Sequence, residues 1–280
     1  MSKEIFLCSI CNISSGSCAE DCGFCTQSAK HHADIIRYKY KPIEQIVQEA
    51  KNVSSYGALG FCLVTSGLGL DEKKLAYVCE AARAVREAVP TLHLIACNGL
   101  ASLEQLKTLK AAGIDSYNHN LETSQAYYAT ICSTHSWQSR FETCLHVKEA
   151  GLTLCSGGIF GLGESEEDRE SFIQSVKALQ PATMPLNFYH PNPALPLKAN
   201  PLSEKEALAI IARVREVLPQ TMLMVAGGRE ITFKSRQSDI FAAGADAIVI
   251  GDYLTTKGQP PTKDLEMIHA LGYTIAKSCH

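Results

Sequence analysis

No apolar run in the chain is long enough to cross a membrane, and the opening stretch from Met1 to Ile13 is too short and mixed for a secretory signal. Neither sign of charge dominates. The 26 Lys and Arg stand against 29 Asp and Glu, a formal net charge of −3, which gives no electrostatic basis for binding nucleic acid or a membrane surface. Across 280 residues there is no linker, low-complexity tract or block of like charge to mark a second domain, so residues 1–280 are read as one. Cysteine is not scarce. Twelve of them, with no export signal, point away from a disulfide framework and towards a reducing, cytoplasmic compartment with metal or redox chemistry.

Three of these cysteines, Cys18, Cys22 and Cys25, stand in Cys-x3-Cys-x2-Cys spacing within SCAEDCGFC at 17–25. Three thiolates so close on one loop can hold three corners of an iron–sulfur cluster and leave the fourth iron of a four-iron cluster open to a chelating ligand. Zinc is the plainer alternative. It takes four nitrogen or sulfur ligands in paired spacing, and no matching His or Cys pair is expected downstream.

Apolar runs of strand length alternate with amphipathic helical runs. Strands are predicted at Glu4–Ile13, Gly60–Thr65, Leu92–Ala96, Ser116–Asn120, Thr153–Gly157, Pro185–Tyr189, Met222–Ala226 and Ala247–Ile250. Helices are predicted at Ile43–Ser55, Glu72–Ala88, Leu103–Ala112, Trp137–Ala150, Glu166–Leu179, Glu204–Val217 and Ser235–Ala243, with a last one beginning near Lys263. Ser102, Ser136 and Ser203 supply start signals. Eight strand–helix units make an α/β fold of the closed (β/α)8 TIM-barrel type, with an open doubly wound sheet as the alternative. In a barrel, functional residues belong at the C-terminal ends of strands, and the cysteine loop follows the first strand.

Other strand exits carry polar or glycine-rich stretches: 60–67, 116–123, 154–164 and 225–230. Each has a structural reading. Cys62 could be a small core residue, Asn118 and Asn120 could satisfy backbone groups, the glycines at 157, 158, 161 and 163 could serve turns, and Arg229 could make a surface ion pair. Their convergence on the barrel end that holds the cysteine loop favours a site.

The cysteine motif, with Phe24 before its last cysteine, resembles the radical S-adenosylmethionine (SAM) superfamily. Together with YNHNLETS at 117–124, CSGGIFGLGE at 155–164, AGGRE at 226–230 and LTT at 254–256, it resembles the biotin synthase family over nearly the whole chain. The resemblance implies a sulfurtransferase that inserts sulfur into dethiobiotin to form biotin. In that family a 5′-deoxyadenosyl radical abstracts hydrogen, and an auxiliary iron–sulfur cluster supplies the sulfide. It implies that Cys18, Cys22 and Cys25 carry the catalytic 4Fe-4S cluster. Glu122 would meet the SAM ribose and Arg140 the SAM carboxylate. Gly157, Ile159, Gly161 and Glu164, in Gly-x-Ile-x-Gly-x-x-Glu order, would lie near the adenine. Asn118, Asn120 and Asn187 would face SAM and the ureido ring, and Thr255 and Thr256 the valerate carboxylate. The implied partners are dethiobiotin, SAM, a low-potential flavodoxin- or ferredoxin-type electron donor and a second copy in a homodimer.

At the auxiliary cluster the sequence departs from the better-known form of the family, which holds a 2Fe-2S cluster with three cysteines and an arginine. Cys62, Cys155 and Arg229 match three of these. The fourth position falls on Ile95, and Cys97, two residues on, shares its strand face if the strand reaches that far. Cys8 stands where the commoner form has a polar residue, and Gly60 where it has another arginine. The expectation is that Cys8, Cys62, Cys97 and Cys155 hold a larger, four-iron cluster with Arg229 beside it.

Cys11 is expected to pack, and Cys79, Cys132, Cys144 and Cys279 have no assigned role. His31, His32 and His190 are expected to face solvent or make hydrogen bonds, and His119 to point away from the barrel interior. The alternatives are another radical SAM barrel enzyme, such as a methylornithine synthase or a hydrogenase-maturation relative, and a non-enzymatic iron–sulfur carrier. Cysteines within the strands argue for a sulfur source, and a carrier would leave Asn118, Asn120 and Glu122 without a role.

Overall fold

The computed structural model describes residues 3–278; Cys279 lies outside them. The chain runs β1 (Glu4–Ser14), α1 (Ile43–Ser55), β2 (Gly60–Thr65), α2 (Glu72–Ala88), β3 (His93–Cys97), α3 (Leu103–Ala111), β4 (Ser116–Asn118), α4 (Gln125–Ile131), α5 (Trp137–Glu149), β5 (Thr153–Cys155), β6 (Gly158–Phe160), α6 (Glu166–Leu179), β7 (Thr183–Phe188), α7 (Glu204–Val217), β8 (Met222–Val225), α8 (Arg229–Phe233), a 3-10 turn at Lys234–Arg236, α9 (Asp239–Ala243), β9 (Ala247–Val249), α10 (Pro261–Ala270) and β10 (Thr274–Ile275).

The strands are parallel and ordered β1-β2-β3-β4-β5-β7-β8-β9. β9 pairs back onto β1, Phe6 with Ala247 and Cys8 with Val249, so the sheet closes. β6 continues β5 and pairs with β7, while β10 adds only to the start of β1. Counting β5 and β6 together, eight staves make the (β/α)8 barrel, and closure excludes the open sheet.

Parity along β1 shows how the sequence builds two layers. Ile5, Leu7, Cys11 and Ile13 point out beneath the helices, while Phe6 and Cys8 point in to meet Cys62, Val64, Ile95, Met224 and Val249. Both faces are apolar because a parallel barrel is covered on both. Capping boxes at Ser102/Gln105, Ser165/Asp168 and Ser203/Glu206 start the helices that cover it.

The differences from the predicted elements have local causes. β4 stops at Asn118 and β5 at Cys155, each two residues early, because the chain there turns across its neighbours. A Cβ at Gly157 would come within 2.0 Å of the Pro185 carbonyl oxygen, and one at Gly158 within 2.4 Å of that of Glu122. β3 runs to Cys97, which places that residue within the ladder opposite Val64. The single helix expected at Ser235–Ala243 is broken into the end of the 3-10 turn and α9, and α8 precedes it unforeseen. α4, seven residues long and capped by Ser124, was too short to show a helical period. No described helix is long and apolar enough to cross a membrane.

Candidate active site

The cysteine loop leaves β1 at the C-terminal mouth. Gly16 and Ser17 turn it with φ of 73° and 61°. Gly16 N–H donates to the Gln27 side-chain oxygen at 3.0 Å, and Cys18 N–H to Gln27 O at 3.2 Å. Cys25 N–H reaches Cys22 O at 3.0 Å, and Gly23 N–H reaches Ile131 O, beyond the barrel wall, at 2.8 Å. Cys18 is buried, and Cys22 and Cys25 are half-buried at the mouth. Burial pushes the Cys18 thiol up and takes Cys25 to about 11. Metal binding here therefore displaces protons. His31 Nε2 lies 3.1 Å from Cys22 O, and His32 and His190 are exposed.

Beside the loop lie the polar residues of the β4 exit. Glu122, at φ 70°, makes a bridge with Gly158, and its Oε1 receives Arg140 Nη2 at 3.1 Å. Arg140 also donates to Asn120 O at 2.6 Å and to His135 Nε2 at 3.3 Å. Burial pushes the Glu122 carboxyl up against the pull of Arg140. The Asn120 side-chain oxygen receives Gly157 N–H at 3.2 Å. Ile159 N–H reaches Glu122 O at 2.9 Å, and Gly161 N–H donates to Glu164 Oε1 at 2.8 Å, so Glu164 shapes the glycine-rich exit from within. His119 lies on the outer layer, buried, near Tyr117 and Cys144, as its parity requires.

Below this tier Cys8, Cys62, Cys97 and Cys155 stand near enough to influence one another. A hydrogen bond with Cys97 comes first among the causes that push Cys62 up, then burial, then the nearby thiols of Cys97, Cys8 and Cys155. Burial takes Cys155 to about 11, against hydrogen bonds with Thr183 and Ser116. Cys8 owes its place to Gly60, its cross-strand partner. A Cβ there would come within 2.9 Å of Cys8 Sγ and 3.1 Å of the Phe6 ring. Ile95 shares this interior and offers no ligand atom.

Arg229 is fully buried, with both terminal nitrogens engaged and its Nε without a partner among the described residues. Its Nη1 lies 2.8 Å from Asp264 Oδ1 and 2.7 Å from the Gln237 side-chain oxygen, and its Nη2 3.3 Å from Val249 O. Asn187 is held by backbone at both ends, with Gly227 N–H on its oxygen at 2.9 Å and its amide donating to Gly158 O at 3.1 Å. The Thr255 hydroxyl meets that of Thr26 at 2.7 Å, tying the loop after β9 to the cysteine loop. A cavity of about 780 Å³ opens beside Thr255 and Thr256, lined also by Asn12, Tyr38 and Tyr253.

One grouping was not anticipated. Cys132 and His135, in the loop after α4, converge on Cys22, the three ligand atoms lying within 4.8 Å of one another. Cys132 and His135 thus make a candidate ligand pair for the loop, where none was expected. The signal was the Cys-x2-His spacing, more than a hundred residues from the loop it meets.

Residues 12–176 match the Radical SAM superfamily and residues 185–274 the Biotin and Thiamin Synthesis associated domain. The chain is 58% identical over 277 residues to the biotin synthase of a Nitratiruptor species, covering 99% of both. It is 59% identical over 278 residues to that of Sulfurovum sp. (strain NBC37-1), covering 99% of this chain and 98% of the relative. The chain belongs to the biotin synthase family. Solved structures show the same fold at low identity. A FeFe-hydrogenase maturase from Carboxydothermus hydrogenoformans has a TM-score of 0.83 at 18% identity, covering 96% of this chain and 67% of that one. A methylornithine synthase has a TM-score of 0.80 at 17% identity, covering 98% and 84%.

Biotin synthase membership brings a 4Fe-4S cluster with SAM, and an auxiliary iron–sulfur cluster. The chain's own residues fit both groups. Three thiols stand at the mouth and four inside. At the β4 exit two buried oxygens, Glu122 Oε2 and Asn118 Oδ1, have no hydrogen-bond partner among the described residues. Buried polar atoms usually have a partner, and a bound ligand is one that would satisfy these two.

Proposed function

We propose that this biotin synthase family member converts dethiobiotin to biotin with Cys18, Cys22 and Cys25 holding the SAM-cleaving cluster and Cys8, Cys62, Cys97 and Cys155 holding the sulfur source. The observation that carries this reading is the presence of two thiol sets in one barrel, one on the mouth loop and one among inward-facing strand residues. When bound, the first cluster supplies the electron that splits SAM into methionine and a 5′-deoxyadenosyl radical, and the second supplies sulfur.

The protein's part is to bind, orient and exclude water. Glu122 presents its unpartnered Oε2 to the ribose hydroxyls, and Arg140, already aimed by Asn120 O, offers its guanidinium fork to the SAM carboxylate. Asn118 faces the ligand with its unpartnered oxygen. Asn120 and Asn187, whose side chains are pinned by backbone, fix the walls near SAM and the ureido ring. Gly157, Ile159 and Gly161 bring backbone close to the adenine, with Glu164 holding that turn. Thr255 and Thr256 receive the valerate carboxylate. Val64, Ile95, Met224 and Val249 keep the interior dry, which protects a radical from competing hydrogen donors. Arg229 acts as a buried brace beside the interior, with Asp264 as its counter-ion. The chain works as one barrel unit over residues 1–280, as a homodimer in the cytoplasm, reduced by a flavodoxin- or ferredoxin-type donor.

The test is anaerobic incubation of the cluster-loaded protein with SAM, a reductant and dethiobiotin, followed by mass spectrometry. Biotin together with 5′-deoxyadenosine is the expected result. Deoxyadenosine without biotin would move the substrate to that of another barrel enzyme of the superfamily. Neither product, with both clusters intact, would leave a carrier.

A further inference from the structure

Cys132 and His135 have no part in the reaction described above, yet they are built against one of its ligands. Cys22 Sγ lies 3.6 Å from Cys132 Sγ, and Cys132 Sγ lies 3.3 Å from His135 Nδ1. A tetrahedral zinc ion, with Zn–S of about 2.3 Å and Zn–N of about 2.0 Å, sets two sulfurs roughly 3.8 Å apart and sulfur and nitrogen roughly 3.6 Å apart. These separations are those of ligands sharing one ion. Cluster thiolates, by contrast, each take a different iron.

The surroundings hold the three atoms in place. Cys132 is buried, and His135 has 7% of its side chain exposed. The Tyr128 hydroxyl, 2.8 Å from His135 Nε2, holds the far edge of the ring, and Glu20 Oε2, 2.7 Å from Nδ1, gives up that hydrogen bond when the ion enters. Asp21 clasps the same loop, receiving Ser133 N–H at 2.9 Å and the Thr134 hydroxyl at 3.1 Å, and its Oδ1 is 3.4 Å from Cys132 Sγ. Hydrogen-bonding partners of this kind orient metal-binding histidines.

We propose that the cluster-free chain binds one soft divalent cation, zinc foremost, through Cys22, Cys132 and His135. Binding takes both sulfurs as thiolates and the histidine nitrogen without its proton, so protons leave as the ion enters. Because Cys22 serves both sites, this ion and the SAM-cleaving cluster exclude one another. The ion holds the mouth loop against the loop after α4 and leaves when the cluster is built. The inference does not depend on which substrate the barrel takes.

The test uses full-length, reduced, cluster-free protein titrated with Co2+ as an optical probe and with Zn2+ against a chromogenic chelator. The wild type is compared with Cys132→Ser, His135→Gln and Cys18→Ser. Whatever the interior cysteines bind is common to all four and cancels. The wild type and Cys18→Ser are expected to bind one equivalent more than Cys132→Ser and His135→Gln. Zinc-loaded wild type is expected to rebuild its mouth cluster more slowly than zinc-treated Cys132→Ser. Equal stoichiometry in wild type, Cys132→Ser and His135→Gln would overturn the proposal. So would loss of the equivalent in Cys18→Ser with its retention in Cys132→Ser, which would put the ion on the Cys18–Cys25 loop alone. His135→Gln keeps every thiol, and circular dichroism on each variant separates lost ligands from lost fold.

Discussion

Arg140 and Glu122 form an ion pair of 3.1 Å with only 14% and 12% of their side chains exposed. The pair divides the carboxylate. Oε1 holds the guanidinium, and Oε2 has no partner among the described residues. Arg140 is aimed by the same contact that leaves Glu122 with one oxygen to offer. Glu122→Gln keeps the shape but replaces a charged acceptor. A hydrogen bond to a charged group is worth roughly 1.5–3 kcal/mol, about a tenfold to hundredfold change in affinity. SAM affinity, measured by calorimetric titration of the cluster-loaded enzyme, is expected to fall by that factor with the fold unchanged. An unaltered affinity would remove Glu122 from the SAM site.

The interior cysteines give a second expectation. If Cys8, Cys62, Cys97 and Cys155 hold a four-iron cluster, Cys8→Ser and Cys97→Ser should each lower auxiliary iron and change its Mössbauer signature while the mouth cluster keeps its own. An auxiliary two-iron signal that Cys8→Ser leaves untouched would reduce the ligand set to the other cysteines.

Gly60 tests the same site through space. Its missing side chain makes room for Cys8 Sγ. Overpacking a core costs about 1–3 kcal/mol, so Gly60→Ala should destabilise by that order and also lower auxiliary iron. Adding Cys8→Ala should recover part of the stability and none of the iron, a non-additivity expected of residues in contact. Additive losses in a urea titration would mean that the two positions do not share a space.

Arg229 and Asp264 are both fully buried. Breaking such a pair by removing one partner costs about 3–5 kcal/mol. Asp264→Ala should lose stability on that scale while the surviving folded protein keeps its iron per chain. Loss of auxiliary iron at unchanged stability would instead make the Arg229 neighbourhood part of the cluster site.

His93, at the start of β3, is held below its ordinary value by burial, which outweighs the nearby Asp115 carboxylate. The folded chain therefore takes up its proton less readily than the unfolded chain. Stability from this residue is intact above the unfolded value near 6.5 and declines as pH falls below it. Unfolding midpoints should drop from about pH 7 to about pH 5.5 more steeply in the wild type than in His93→Gln. Parallel curves would show that another group sets the slope.

Most of the barrel was legible because its strands and helices are long enough to show a period, and because the serine caps mark where helices begin. α4 was not, since seven residues give no stable periodicity. The early ends of β4 and β5 were not, since they come from backbone passing close to backbone across the barrel, which only the glycines at 157 and 158 hint at. The motif residues fell at the mouth because strand exits do. Parity set Cys11 apart from Cys8 and the family resemblance put Cys62 inside, but whether Cys97 faced in depended on one more residue of β3. The commitment of Arg229 to Asp264 and the meeting of Cys22 with Cys132 and His135 were hidden for one reason: each joins segments far apart in sequence through side-chain geometry.

The hydroxyls of Thr26 and Thr255 stand at the seam where β1 meets β9. β1 delivers the cysteine loop, but the wall it leans on is made by β9, the two threonines standing 229 residues apart in the chain. Until β9 follows, a nascent chain carries these thiols without a vessel around them. Iron delivered before the seam closes would meet a flexible peptide. Iron delivered afterwards meets a shaped mouth, so the closing of β9 onto β1 is the step that readies the metal centres.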